Sequence, residues 1–386
     1  MVPIRYNFRS VIERRATSLM TILGVALVSM IFIIVFGFSA GLKQSLVNTG
    51  EDRNVIVLAR GVTSENESFV PHPATEILRV RPEIATDQHH QPLLSRESIA
   101  GVNVSRTRGP KEFALLRGVK PIAYEVHPNL HLVEGHWPVS GNGEWVVGRR
   151  LFSRFPYLQP GTTFHYEHRD WKIVGVFTDN DSARESELWT DLDDLINNFH
   201  WDAGGASALH VVLNPGSAAE FANAIKSDGR LTLQGETETQ YYAAQAAVVG
   251  QLRLLGLIVA LALAIGAMFG GMNTMYTAVT RRGREIGVLR VLGFSRGDIL
   301  TSFVIESVIL GLAGGVAGVV LATAVAWATG LTSRTMSVGA MFFSYRPTAG
   351  ALAAGVVVSA IIGVAGGLMP ALRASRVGII SALREA

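Results

Sequence analysis

Residues 254–280 read LLGLIVALALAIGAMFGGMNTMYTAVT, and Arg281-Arg282-Gly283-Arg284-Glu285 follows directly. The run holds 27 residues and no charged side chain. At a helical rise of 1.5 Å per residue it reaches about 40 Å, against a hydrocarbon core of ~30 Å. A buried helix of a soluble domain rarely needs such a length, so the stretch predicts a membrane span closed by an arginine cluster. Windows 16–42, 307–333 and 347–372 are equally free of charge, at 27, 27 and 26 residues. Four spans are predicted. Arg5, Arg9, Arg14 and Arg15 before the first one resemble a secretory signal, and Phe38-Ser39-Ala40 mimics a cleavage site. The apolar stretch 19–38, however, is 20 residues long. That exceeds the ~7–15 of a signal's hydrophobic region, which predicts an uncleaved anchor.

Composition agrees. Of 386 residues, 48% are hydrophobic and 17% charged, below the about 25% charge of ordinary soluble chains. At about 150 residues per domain the length suggests two or three units. Charge is divided unevenly. Residues 43–247 carry 19 Lys and Arg against 26 Asp and Glu, and all ten histidines; the remainder carries 15 basic and 5 acidic residues. The basic residues stand at the ends of apolar runs and form no stripe, so no nucleic-acid partner is expected. The absence of cysteine excludes disulfides, thiolate metal sites and cysteine nucleophiles.

Orientation follows from the short flanks. Four arginines precede the first span, five (Arg281, Arg282, Arg284, Arg290, Arg296) lie between the second and third, and Arg373, Arg376 and Arg384 follow the fourth. Only Arg334 and Arg346 lie between the third and fourth. Positive residues favour the cytoplasmic side. Both termini and the 281–300 link are therefore expected inside, and the 43–247 insert outside.

Inside the insert, 55–58, 113–116, 145–147 and 209–213 read as strands, and 163–177 as a hairpin with its turn at 167–170. Residues 191–199 and 217–226 read as helices, the second with Ser217 as N-cap. A proline-free stretch at 236–252 predicts a helical stalk continuing the second span outward.

The usual chemical motifs are missing. Neither G-x-x-x-x-G-K-[ST] nor G-x-G-x-x-G occurs. Gly311, Gly314, Gly315 and Gly318 lie in an apolar run at small-xxx-small spacing, as do Gly37 with Gly41 and Gly266 with Gly270. That spacing predicts close helix packing. His89-His90 and the pair His165, His168 lack a third ligand and read as turn or surface histidines, so no metal site is predicted. Asp191, Asp193 and Asp194 lack the glycine and terminal glutamate of a calcium loop and read as a charged helix N-terminus. Glu306, the one acid near a span, reads as an arginine-paired or snorkelling anchor, with an ion site as the sharper alternative.

The link itself is specific. Ile286, Leu289, Val291 and Leu292 are expected to share an apolar flank of a short helix able to lie on a bilayer or dock in a groove. Arg284, Glu285, Ile286, Gly287, Arg290, Gly293, Asp298 and Ile299 fit the pattern R-E-I-G-x-x-[RK]-x-x-G-x-x-x-x-D-I. In this the chain resembles permeases of the MacB, LolC/LolE and FtsX-like ABC transporter family. The ending Pro370-Ala371-Leu372-Arg373-Ala374-Ser375-Arg376 with Ala382-Leu383-Arg384, and the start from Ile4 to Ser10, are similar to that family too. In the insert, Glu134-Gly135-His136-Trp137, the stretch 143–148, Pro160-Gly161 and 171–177 resemble the MacB-type periplasmic core. Arg281 and Ile379 depart from the family, which often has Glu and Pro there.

The resemblance implies an α-helical membrane protein with four transmembrane helices and a large mixed α+β extracytoplasmic domain, MacB-like, inserted between helices one and two. The expected division is 1–16 cytoplasmic amphipathic segment, 17–42 first span, 43–247 core domain with stalk and 248–276 second span. It continues with 277–300 coupling helix, 301–330 third span, 331–348 outer loop, 349–372 fourth span and 373–386 tail. It further implies a permease in a bacterial inner membrane, itself no enzyme and without a cofactor, since ATP would be bound by a separate ABC ATPase subunit. That subunit would grip Arg284, Glu285, Ile286, Gly287, Leu289, Arg290, Leu292 and Gly293. A second permease copy or a paralogue would complete the dimer, the lipid bilayer would surround it, and a membrane-fusion protein is a further candidate partner. The expected work is export or extraction of a hydrophobic or lipid-linked cargo by mechanotransmission. The alternative is an FtsX-like signalling subunit acting on a cell-wall hydrolase. A membrane-anchored enzyme finds no supporting constellation of residues.

Overall fold

A computed structural model describes residues 11–104, 112–155, 157–167, 169–329, 335–338, 341–345 and 347–376. In chain order it runs α1 (Arg15–Val47), β1 (Asn54–Ala59), α2 (His72–Arg79), β2 (Leu94–Val104), β3 (Glu112–Val119), α3 (Ala123–Val126), β4 (Leu130–Gly135), β5 (Glu144–Gly148) and α4 (Arg149–Arg154). It continues with β6 (Thr163–Tyr166), β7 (Arg169–Asp179), β8 (Glu187–Asp191), α5 (Leu192–Phe199), β9 (Ala208–Val212), α6 (Ala218–Ser227) and β10 (Leu233–Thr237). The last elements are α7 (Glu238–Arg281), α8 (Gly283–Val291), α9 (Arg296–Ala328), β11 (Thr335–Val338), β12 (Met341–Ser344) and α10 (Ala349–Ser375). Two compact units result, one of Met1–Ala40, Gly250–Thr332 and Arg346–Ala386, the other of Gly41–Val249 and Ser333–Tyr345.

The second unit is built on a ten-stranded sheet of order β10-β1-β9-β2-β3-β8-β5-β7-β4, with β6 paired to β7. The β3–β8 and β5–β7 pairs are parallel, and the others are antiparallel. Alternation sets what each strand buries. Val55 and Val57 on β1, with Leu209 and Val211 on β9, pack with Leu78 of α2 and with Phe221 and Ile225 of α6. The run Trp145-Val146-Val147 is apolar throughout because β5 is covered on both faces. Trp145 and Val147 pack with Leu116, Trp171 and Leu188, whereas Val146 packs with Val174, Phe177 and Trp189. The Trp145 and Trp171 rings stack at 5.1 Å.

Three expectations need correction here. Residues 233–237 form β10, paired with β1, because an edge strand satisfies their backbone groups; the long helix therefore starts at Glu238 and not at 236. That helix runs unbroken to Arg281, so residues 277–281 continue it. Ser217 precedes α6 but its side chain accepts no capping bond, its backbone being already helical at φ −88°, ψ −1°. Asp191, by contrast, caps α5 by accepting from the amides of Asp193 and Asp194. His89 lies in an exposed turn with His90, and His165 is exposed and bonded to Asp170; His168 lies outside the described residues.

In the other unit, α1, α9, α10 and the Arg253–Arg281 part of α7 are each long and apolar enough to cross a membrane. Small residues set the approach of α9 to its neighbours. A Cβ on Gly311 would stand 2.6 Å from the Ser359 carbonyl oxygen and 3.0 Å from Gly363 Cα on α10. One on Gly315 would meet Val356 Cα at 3.1 Å, and one on Gly314 would meet Val25 Cβ of α1 at 2.7 Å. One on Gly318 would reach the Ala26 carbonyl at 2.8 Å. Gly37 and Gly41 are buried. Gly266 and Gly270 depart from expectation: both lie on an exposed face of α7, where a Cβ would meet nothing within 4 Å among the described residues. Replacing Gly311 with Val should destabilise the α9–α10 pair by about 1–3 kcal/mol through overpacking. The same change at Gly266 should leave the melting temperature of the detergent-solubilised chain unchanged, which differential scanning fluorimetry checks.

Candidate functional site

The link between α7 and α9 is a local fold whose residue types are each required. Helix α8 ends on Gly293, which takes φ +95°, a conformation that L side chains avoid. The Gly293 amide donates to the Arg290 carbonyl and the Phe294 amide to the Leu289 carbonyl, which closes the helix in a Schellman arrangement. Arg290 Nη1 donates to the Phe294 carbonyl at 3.1 Å and pins the turn. Two residues on, Ser295 and Asp298 form a reciprocal capping box that opens α9. Ile286 and Ile299 are buried with Met275, Val279, Phe303, Leu310, Ala371 and Ala374.

Charge fixes the start of the link. Glu306, 1% exposed, accepts from Arg14 and, at 3.2 Å, from Arg282 Nη1. Arg282 Nε also donates to Glu285 Oε2 at 2.9 Å, and its guanidinium lies over the Phe303 ring. One buried carboxylate thus joins the beginning of α1, the α7–α8 junction and α9, in keeping with the arginine-paired reading of Glu306.

Of the eight residues fitting the sequence pattern, Glu285, Ile286, Arg290, Gly293, Asp298 and Ile299 therefore bond or pack within the fold, and Gly287 is buried. The expected contact surface must be corrected accordingly. Ile286 and Gly287 are buried, Leu289 and Arg290 half-buried, because the first turn of α8 packs on the bundle. The expected single apolar flank is split: Ile286 faces inward, while Val291 and Leu292 are 61% and 70% exposed. Arg284, Glu285, Val288, Val291 and Leu292 form the exposed face, an apolar strip beside charged groups.

A second constellation, missed by sequence reasoning, lies in the sheet unit. His210 on β9, Glu97 on β2, Arg117 on β3 and Glu187 on β8 share one face, since the register opposes His210 to Ser95, Ile99 to Arg117 and Leu115 to Glu187. Arg117 donates to Glu187 at 2.7 and 2.9 Å, to Glu65 at 2.7 Å and to Glu97 at 2.8 Å. His210 Nδ1 donates to Glu238 at 2.7 Å, and His127 Nε2 lies 2.8 Å from Glu97. Arg184 bonds both Glu238, the first residue of α7, and the carbonyl of Thr49, just beyond α1. Burial alone would raise these carboxyls. Arg117 and His210 outweigh it at Glu65, and Arg184 and His210 at Glu238, holding both at about 2. Burial likewise opposes charge on His210, but Glu97, Glu238 and Glu65 push it up to about 10. The available signal was His210 inside the predicted strand 209–213 and Arg117 directly after 113–116; Glu97 and Glu187 lay in stretches where no strand was predicted.

Against known proteins, residues 17–228 match the family described as MacB-like periplasmic core domain, and residues 257–379 the one described as FtsX-like permease C-terminal. The chain is 26% identical over 412 residues to the uncharacterized ABC transporter permease YknZ of Bacillus subtilis, covering 99% of this chain and 98% of that one. It is 39% identical over 130 residues to the macrolide export ATP-binding/permease protein MacB of Burkholderia lata, which is 34% of this chain and 18% of that protein. The periplasmic region of MacB from Actinobacillus actinomycetemcomitans aligns with a TM-score of 0.38 at 13% identity, covering 51% of this chain and 94% of that one. With one family matched across the inserted domain and the other across the link and the last spans, the chain belongs to the MacB-like and FtsX-like family of ABC transporter permeases.

Proposed function

We propose that this permease couples ATP hydrolysis by a separate nucleotide-binding subunit to movement of its outer domain, and so drives export or extraction of a hydrophobic or lipid-linked cargo. The observation that carries this reading is the exposed face of α8, where Arg284 and Glu285 flank Val288, Val291 and Leu292. A strip of that kind suits the groove of a partner protein. The Arg282–Glu306 bond at 3.2 Å anchors its base, so a push on α8 would pass into α9 and the first helix. The permease YknZ is matched over 98% of its own length, which favours a motor on another chain. The arginines around the link favour its cytoplasmic side, with both termini inside and 43–247 outside. Helix α7, unbroken from Glu238 to Arg281, supplies a rod for transmission. A second copy or a paralogue would complete the assembly.

The test uses the chain co-purified with its ATPase from the native host. Glu285→Arg with Leu292→Asp should lower ATPase recovery and coupled hydrolysis at least tenfold while membrane insertion stays intact. Unchanged hydrolysis would overturn the coupling role of α8. The chain has no cysteine, so Arg284→Cys alone should react with a membrane-impermeant maleimide only from the cytoplasmic side. An FtsX-like signalling role would appear instead as coupled hydrolysis that depends on a cell-wall hydrolase and moves no cargo.

A further inference from the structure

The turn before β9 and the chain around the 3₁₀ turn Glu65–Glu67 border a cleft of about 270 Å³ in the sheet unit, which β2 also lines. Its walls are held by the fold. Val70 and Ala206 exchange backbone bonds at 2.7 and 3.0 Å. Arg96 Nη2 donates to the carbonyls of Ala203, Gly204 and Gly205 at 3.2, 3.0 and 3.2 Å, which fixes the 202–205 turn. The Phe69 ring lies over Gly205, where a Cβ would stand 2.2 Å from it, so a larger residue would displace the ring. The cleft is therefore formed before any ligand arrives, as small-molecule sites usually are.

Two kinds of group face this space. Phe69 and Trp201 are aromatic side chains left 53% and 41% exposed, and both line it. Trp201 packs against Phe199 with ring centroids 5.2 Å apart, which steadies the indole. Serine hydroxyls share the lining. The Ser68 and Ser207 oxygens accept from the amides of Ala59 and Ile99 at 2.9 and 3.2 Å, so each hydroxyl still has its proton to donate. Ser98 is 2% exposed, and its hydroxyl bonds to no group among the described residues, although buried hydroxyls are normally paired. Asp202 Oδ1 accepts from the Gly204 amide at 3.2 Å, which leaves Oδ2 as an acceptor beside the Asn66 amide. Aromatic faces next to neutral donors and an acceptor suit a ligand that carries both an apolar face and several oxygens.

We propose that this cleft binds a neutral saccharide, with Trp201 against the C–H face of one pyranose ring and Ser68, Ser98 and Ser207 donating to its oxygens. Size favours a ring: the volume lies just below the ~300–1,000 Å³ of common ligand pockets, too small for a long acyl chain. Charge favours a neutral ligand. Asp202 is the one ionisable side chain in the lining among the described residues, and Arg96, bound to the same turn, offsets it. A purely apolar ligand would leave the serine protons and the Ser98 oxygen unpaired, each at a cost. The site does not depend on the coupling role of α8.

The full chain in a sugar-free zwitterionic detergent is titrated with N,N′-diacetylchitobiose and with maltose, and binding is read by saturation-transfer NMR. At least one of them should bind saturably, with transfer strongest to the axial ring protons. Trp201→Ala should weaken that binding at least tenfold and Ser98→Ala about three- to tenfold, both with an unchanged melting temperature. The aromatic probe 2-naphthol is titrated in parallel. Saturable 2-naphthol binding that Trp201→Ala abolishes, with no response to either sugar, would make the cleft a site for an apolar ring and overturn the saccharide assignment. Absence of saturable binding by all three, or sugar binding that both variants leave unchanged, would overturn it equally.

Discussion

Replacing Arg117 with Met is expected to unfold the sheet unit or leave it open to proteases at ambient temperature. The guanidinium is 2% exposed and serves Glu65, Glu97 and Glu187 together. Removing it leaves three carboxylates facing one another in a site that water reaches poorly. Breaking a buried pair from one side costs roughly 3–5 kcal/mol, a large share of the about 5–15 kcal/mol that holds a domain together. Limited proteolysis and thermal melting of the full chain in detergent read the effect. Neutralising the stranded groups should restore part of the loss, so Arg117→Met with Glu65→Gln and Glu187→Gln should melt higher than Arg117→Met alone. A single variant melting within two degrees of the native chain would contradict the central place given to Arg117.

Glu306→Ala should have the second largest effect, and it should appear at the link. The carboxylate is buried and takes both Arg14 and Arg282. Without it two cations approach each other beside an apolar bundle, at a cost of about 3 kcal/mol or more. Helix α8 would lose the anchor at its base while keeping its own Schellman and capping-box bonds. Because the chain has no cysteine, Ile286→Cys placed in both backgrounds reports the change directly. Its buried thiol should react with maleimide at least tenfold faster when Glu306 is absent. On the coupling role proposed for α8, hydrolysis by the co-purified ATPase should fall in parallel. Equal labelling rates in the two backgrounds would show that Glu306 does not hold the link.

These variants separate two kinds of information. The spans are legible in the sequence because a bilayer acts on each helix by itself: length and absence of charge suffice, and 254–280 needs no neighbour to be recognised. The turn at Gly293 and the cap at Ser295 and Asp298 are equally local, since their bonds join residues at most five apart. The strands around Val55, Leu115, Trp145 and Leu209 follow from short apolar runs, and the start of α5 from the acidic Asp191, Asp193 and Asp194.

Tertiary structure decided what distant residues do for one another. Gly266 and Gly270 have the same spacing as Gly311 and Gly315, yet among the described residues only the latter pair meets another helix, because spacing records a face and not its partner. Residues 236 and 237 became the end of a strand and not of the stalk since β1 lay beside them with unpaired backbone groups. Ile286 and Leu292 are alike in hydropathy, and only the packing of Met275, Phe303 and Ala371 sends one inward and leaves the other exposed. Glu65, Glu97, Arg117, His127, Glu187, His210 and Glu238 are scattered over more than 170 positions. Strand register gathers four of them on one face, where burial turns separate charged residues into a single coupled network. Coulomb energy depends on distance in space and on the surrounding dielectric, and a sequence specifies neither until the chain has folded.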